Sequence, residues 1–119
     1  MPNAKTYQGG CHCGRVSFEA TTDLAVVGEC NCSICTKRGA LWAFVKAPQF
    51  KLLKGRDALT DYQFAKRTIH HLFCQSCGIG SFSQGLAPNG EETFAVNVRC
   101  LDGVDVAALK TTPFDGKNL

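Results

Sequence analysis

The sequence predicts a mainly β fold, a small domain of antiparallel sheets with short helical turns, its strand ends stapled by cysteine knuckles. Three observations carry this expectation. Short apolar or alternating stretches recur along the chain, separated by Gly/Pro/Asn clusters such as "GLAPNGEE". At 119 residues, 45% of them hydrophobic, the chain has the size and composition of one folded domain, taken here as residues 1–119. Eight cysteines, against one Met and one Trp, lie bunched rather than spread.

The strands follow in order. "RVSFEAT" (15–21) alternates Val16, Phe18 and Ala20 against Arg15, Ser17 and Glu19, the period of a half-buried strand. "ALWAFVK" (40–46) is a continuous apolar run stopped by Pro48, which suits a strand buried on both faces; Trp42, Phe44 and Phe50 read as core. "LTDYQFA" (59–65), "TIHHLFC" (68–74) and "TFAVNVRC" (93–100) complete the set. On the last of these, Cys100 would share a face with Phe94, Val96 and Val98. Helical signals are weaker. "SICTKRG" (33–39) can make one turn, and "DGVDVAALK" (102–110) a short helix begun by Asp102 or Asp105 and ended before Pro113.

No apolar run approaches the ~20 residues of a membrane-spanning helix. The opening "MPNAKTYQGG" lacks the apolar stretch of a secretory signal, so a cytoplasmic protein is expected. No membrane partner is expected either.

The cysteines fall as Cys11/Cys13, Cys30/Cys32/Cys35 and Cys74/Cys77, with Cys100 apart. Disulfides stabilise most when they close long loops, and neighbours in Cys-X-Cys bridge each other only with strain. The same neighbours can present two thiolates to one metal, which is the preferred reading. "CHCG" and "CQSCG" each offer two sulfurs from a tight turn ending in Gly. Together, Cys11, Cys13, Cys74 and Cys77 make the closed thiolate tetrahedron of a structural zinc. With some sixty residues between Cys13 and Cys74, such an ion ties the first strand to a late one.

"CNCSICTKRG" supplies Cys30, Cys32 and Cys35, three donors for a second ion. A catalytic zinc keeps three protein ligands and one open position, whereas a structural site is closed by a fourth. His12, His70, His71 and Cys100 are the available closers. His12 sits inside a knuckle, and His70 and His71 point to opposite faces of their strand. Seven bound thiolates and two zinc ions would bring the formal charge of +3 to about zero, which removes the basicity that nucleic-acid binding would call for.

"GGCHCGRVSFEA", "CNCSICTKRGA", "FCQSCGIGSF" and "VNVRCLDGVD" occur in the order and rough spacing of one family. From about Gly9 to Asp105 the chain resembles the glutathione-dependent formaldehyde-activating enzymes, also described as centromere-protein-V-type zinc domains. The resemblance implies a β-tent fold around a structural zinc on Cys11, Cys13, Cys74 and Cys77. It also implies a second, labile, catalytic zinc on Cys30, Cys32 and Cys35. The implied activity is a carbon–sulfur lyase-type condensation of glutathione with formaldehyde to S-hydroxymethylglutathione. Its partners are a small-molecule thiol and a small aldehyde. Lys37, Arg38, Arg67 and Arg99 could meet the carboxylates of such a thiol, although solvation is the ordinary lot of such cations.

Two other classes are weighed beside this one. A zinc-stapled binding module would contact nucleic acid or protein, but no basic stripe interleaved with aromatics accompanies the knuckles. A thiol redox enzyme akin to type-B methionine sulfoxide reductases would use Cys100, whose neighbour Arg99 could lower its pKa. That reading leaves the Cys30–Cys35 triplet without a role.

Overall fold

The computed structural model describes residues 4–64 and 67–115. In chain order the strands are β1 (Lys5–Gly10), β2 (Ser17–Thr22), β3 (Val27–Cys30), β4 (Trp42–Lys46), β5 (Phe50–Lys54), β6 (Leu59–Tyr62), β7 (His70–Cys74), β8 (Phe82–Leu86), β9 (Glu92–Asn97) and β10 (Thr111–Phe114). One α-helix, α1 (Ser33–Arg38), lies between β3 and β4. Ala65, placed at the end of a strand by the sequence, falls outside the described residues.

Two sheets result. β1, β2 and β5 form a three-stranded sheet in the order β1-β2-β5, and the other strands form a seven-stranded sheet in the order β10-β3-β4-β9-β8-β7-β6. Every pairing is antiparallel except that of β10 with β3. The alternation in "RVSFEAT" works as expected: Val16, Phe18 and Ala20 are fully buried. Phe18 and Phe50 from the small sheet meet Phe82 and Phe94 from the large one, with Phe50 and Phe94 stacked at 4.2 Å and Phe50 and Phe82 at 4.8 Å between centroids. This aromatic layer forms part of the apolar core shared by the sheets, together with aliphatic residues such as Ala20, Ala43, Val45 and Val96. Burial of rings of this size is the largest single source of core stabilisation a chain this short can have.

Several expectations need correcting. β4 is not buried on both faces: Ala43 and Val45 enter the core, while Phe44 on the opposite face is 57% exposed. β9 ends at Asn97, whose Oδ1 accepts from the Arg99 backbone N–H and turns Val98–Cys100 into a 3₁₀ turn. Cys100 therefore does not continue the inward face of Phe94 and Val96. The helix expected over 102–110 is one 3₁₀ turn, Val106–Ala108, capped by Asp105. Pro113, expected to mark a helix end, lies inside β10, an edge strand where a missing N–H costs least. Residues 15–16 belong to a cysteine turn rather than a strand, since the Val16 carbonyl accepts from the Cys11 N–H at 3.1 Å. Among the described residues no helix is long and apolar enough to cross a membrane.

One glycine holds the two-sheet junction. Gly55 has φ of 98°, and a Cβ there would collide with the Arg15 carbonyl oxygen and lie 2.7 Å from Val16 Cα. Both the dihedral and the close approach exclude a side chain. Gly55→Ala is expected to cost about 2–3 kcal/mol in denaturant unfolding. An unchanged midpoint would show that this approach carries no stability.

Candidate metal centres

The first group of thiols is built by two hairpin turns. Residues 11–16 join β1 to β2 and residues 75–81 join β7 to β8, so one turn comes from each sheet. The glycines that close the two knuckles, Gly14 and Gly78, have φ of 85° and 78°, a region only glycine enters without strain. Cys11, Cys13, Cys74 and Cys77 bring their Sγ atoms within 4.8 Å of one another, with Cys11 and Cys13 at 3.6 Å and Cys13 and Cys74 at 3.6 Å. Backbone N–H groups point at the sulfurs: Val16 donates to Cys11 Sγ at 3.3 Å and Ser76 to Cys74 Sγ at 3.4 Å.

All eight cysteines are free thiols. The electrostatics of the first group call for a cation. Cys77 is pulled down to about 6 by the backbone N–H groups of Cys13 and Ile79. The Arg15 N–H works to lower Cys13, yet burial and the thiols of Cys74, Cys11 and Cys77 push it up to about 11. Four sulfurs this close cannot all ionise unless positive charge sits among them. A tetrahedron of sulfurs ~2.3 Å from zinc has edges of ~3.8 Å, so the observed spacings suit that ion.

The second group forms where β3 runs into α1. Cys30 ends β3, Cys32 caps α1 and Cys35 follows one turn later. Gly39, in the left-handed region, stops the helix by returning its N–H to the Cys35 carbonyl. The three Sγ atoms also lie within 4.8 Å of one another. The loop is tied down from several sides. Thr36 Oγ1 donates to the Asn31 carbonyl, Asn31 Nδ2 donates to Asp115 Oδ1, and the Asn31 N–H donates to the Phe114 carbonyl of β10. Burial works to raise Cys32, but the backbone N–H groups of Cys35 and Ile34, with the neighbouring thiols, hold it below its ordinary value. Burial, reinforced by the Cys32 sulfur, pushes Cys35 up to about 12.

No fourth His, Cys, Asp or Glu among the described residues joins this group. Each sequence-nominated closer is engaged elsewhere or faces solvent. His12 is exposed. His70 and His71 do lie on opposite faces: His70 Nδ1 is 2.6 Å from Asp61 Oδ2, while His71 is buried with its ring 5.2 Å from that of Phe64. Cys100 is half-buried near Cys11 and Cys77, and burial pushes it up to about 11.

The surroundings of the second group include residues that the sequence assigned to the core or to solvent. Trp42 is only 4% exposed, yet its indole N–H donates to Cys35 Sγ at 3.3 Å. A buried indole must place its N–H somewhere, and that requirement was the available hint. Among the nominated cations, Lys37, Arg67 and Arg99 are exposed. Arg38 is not the solvated side chain expected; its guanidinium lies over the Trp42 ring at 5.9 Å. Burial lowers its pKa and the sulfurs of Cys35 and Cys32 raise it again.

A family profile described as glutathione-dependent formaldehyde-activating enzyme matches residues 6–114. The chain is also similar to the crystal structure of a Rhodobacter sphaeroides protein. That protein is 37% identical, the match covers 89% of this chain and 97% of that one, and the TM-score is 0.79.

Proposed function

The chain belongs to the glutathione-dependent formaldehyde-activating enzyme family, and from that premise we propose that it catalyses the addition of a small-molecule thiol, glutathione or a close relative, to a small aldehyde such as formaldehyde. The observation that carries this reading is the gathering of Cys30, Cys32 and Cys35 without a fourth protein donor among the described residues. Cys11, Cys13, Cys74 and Cys77 would hold a structural zinc, and the two sheets joined through them fit the β-tent arrangement expected of the family. Cys30, Cys32 and Cys35 would hold the second, more labile zinc and leave one ligand position for the guest thiol. Zinc there would supply the positive charge that ionises a coordinating thiol near neutral pH.

The protein's own residues do the rest. β3 and α1 present three sulfurs on one side of a loop, and the Trp42 N–H fixes the direction of Cys35 Sγ. In the reaction the thiol sulfur bonds to the carbonyl carbon and the C=O π pair moves to oxygen. The proton given up by the thiol ends on that oxygen. Atoms balance without oxidant, reductant or leaving group, so the carbon–sulfur lyase class follows. Seven cysteines gathered as candidate metal ligands fit a reducing, cytoplasmic setting.

Exchange NMR of formaldehyde and thiol at equilibrium tests the reading. Catalytic amounts of protein are expected to speed interconversion of free and S-hydroxymethyl thiol well above the spontaneous rate. Equal exchange rates with and without protein, across glutathione and simpler thiols, would end the proposal.

A further inference from the structure

Arg38 leaves the end of α1 and turns back over the large sheet rather than into solvent. Its Cζ would lie 3.2 Å from a Cβ at residue 80, so Gly80 provides the recess that admits the guanidinium beside Trp42. The Nη1 atom is buried and has no hydrogen-bond partner among the described residues. The ion pairs found among those residues, Lys46 with Glu91 and His70 with Asp61, do not involve it. A guanidinium cannot shed its proton, so a buried N–H without an acceptor is a standing cost.

The groups around it define where an acceptor would sit. The sulfurs of Cys35 and Cys32 lie close enough to influence Arg38, and Arg38 in turn influences His71. On the same sheet face, Ser83 stands opposite His71 and Asn97 opposite Trp42. The hydroxyls of Ser81 and Ser83 are also buried without partners. Of these unspent donors Arg38 lies nearest the three-thiol group, with Ser81 and Ser83 further along the same face; the Asp61 carboxylate acts on His71, and no ion pair among the described residues reaches Arg38.

We infer that Arg38 is a specificity-determining residue whose guanidinium receives a carboxylate of the thiol substrate. This rests on the thiol-addition reading. A planar fork of N–H donors held beside an indole suits a carboxylate, which it can bind through two parallel hydrogen bonds. Lysine would keep the charge but not the fork.

Trp42 is the only tryptophan in the sequence, so its emission reports on the guanidinium that lies over it. The experiment titrates the zinc-loaded protein with S-methylglutathione, which keeps both carboxylates and lacks a free thiol, and in parallel with its diethyl ester. Wild type is expected to give a saturable change with the acid and none with the ester over the same range. Arg38→Gln should weaken binding of the acid by about tenfold or more, as loss of a charge-assisted pair does, and Arg38→Lys should fall between. Melting curves and zinc content of the variants establish that they fold. Equal binding of acid and ester, unchanged binding by Arg38→Gln, or no saturable response from wild type would each overturn the inference. Because these readouts need no turnover, Arg38-dependent binding without catalysed condensation would remove the functional reading and leave the carboxylate site standing.

Discussion

Replacing Cys74 with serine is expected to unfold the protein at 25 °C. Cys74 is fully buried at the point where the β7–β8 turn meets the β1–β2 turn. Structural zinc in a small domain contributes on the order of 10 kcal/mol, while the whole stability of a domain is about 5–15 kcal/mol. Losing one of four ligands would remove most of the former and leave the shared apolar core to hold the sheets alone. Circular dichroism and thermal melting check this, with a chelator added to wild type as a companion arm. Chelation should unfold wild type and zinc should restore it, which separates loss of metal from the burial of a hydroxyl. A Cys74→Ser protein that melts like wild type would mean the four thiols are not the staple described here.

Cys32→Ser should do the opposite: abolish turnover and spare the fold. None of the residues of α1 is buried, and the loop keeps its ties to β10 through Asn31. The exchange rate in the thiol–formaldehyde assay is expected to fall by at least about a hundredfold, since removing even an outer partner of a metal ligand costs about 10- to 100-fold. Zinc content should drop from two ions per chain to one while the melting temperature stays close to wild type. A variant that keeps full activity would rule out the three-thiol group as the reaction centre, and one that unfolds would place these cysteines in the structural frame.

Much of this arrangement was legible in the chain, for physical reasons. Period-two alternation exposed β2, because one face of that strand meets the core and the other meets solvent. Cysteine spacing exposed both thiol groups, because knuckle geometry is local and leaves its mark within a few residues. What lay beyond reach depends on distant partners. Phe44 and Trp42 are two residues apart on one face, yet one is exposed and the other covered, and what sets Trp42 apart is its neighbours Cys35 and Arg38 from α1. The seam between β3 and β10 is a parallel pairing of segments more than eighty residues apart, which no local pattern announces. The end of β9 was misplaced because Asn97 caps a turn through its side chain, in a stretch whose apolar residues otherwise continue the rhythm of a strand.

The two sulfur groups also differ in when they can exist. Three of the donors lie within six residues of chain and can gather round an ion as soon as that stretch leaves the ribosome. The other four are split by a gap of 61 positions between Cys13 and Cys74, and closing such a loop costs about 3–4 kcal/mol of chain entropy by the logarithmic rule. If both groups take zinc as proposed, the early pair would wait during synthesis, bare and oxidisable, while the local trio competes for the same ion. On that reading, cellular zinc supply and the pace of translation would bear on how much of this protein matures correctly.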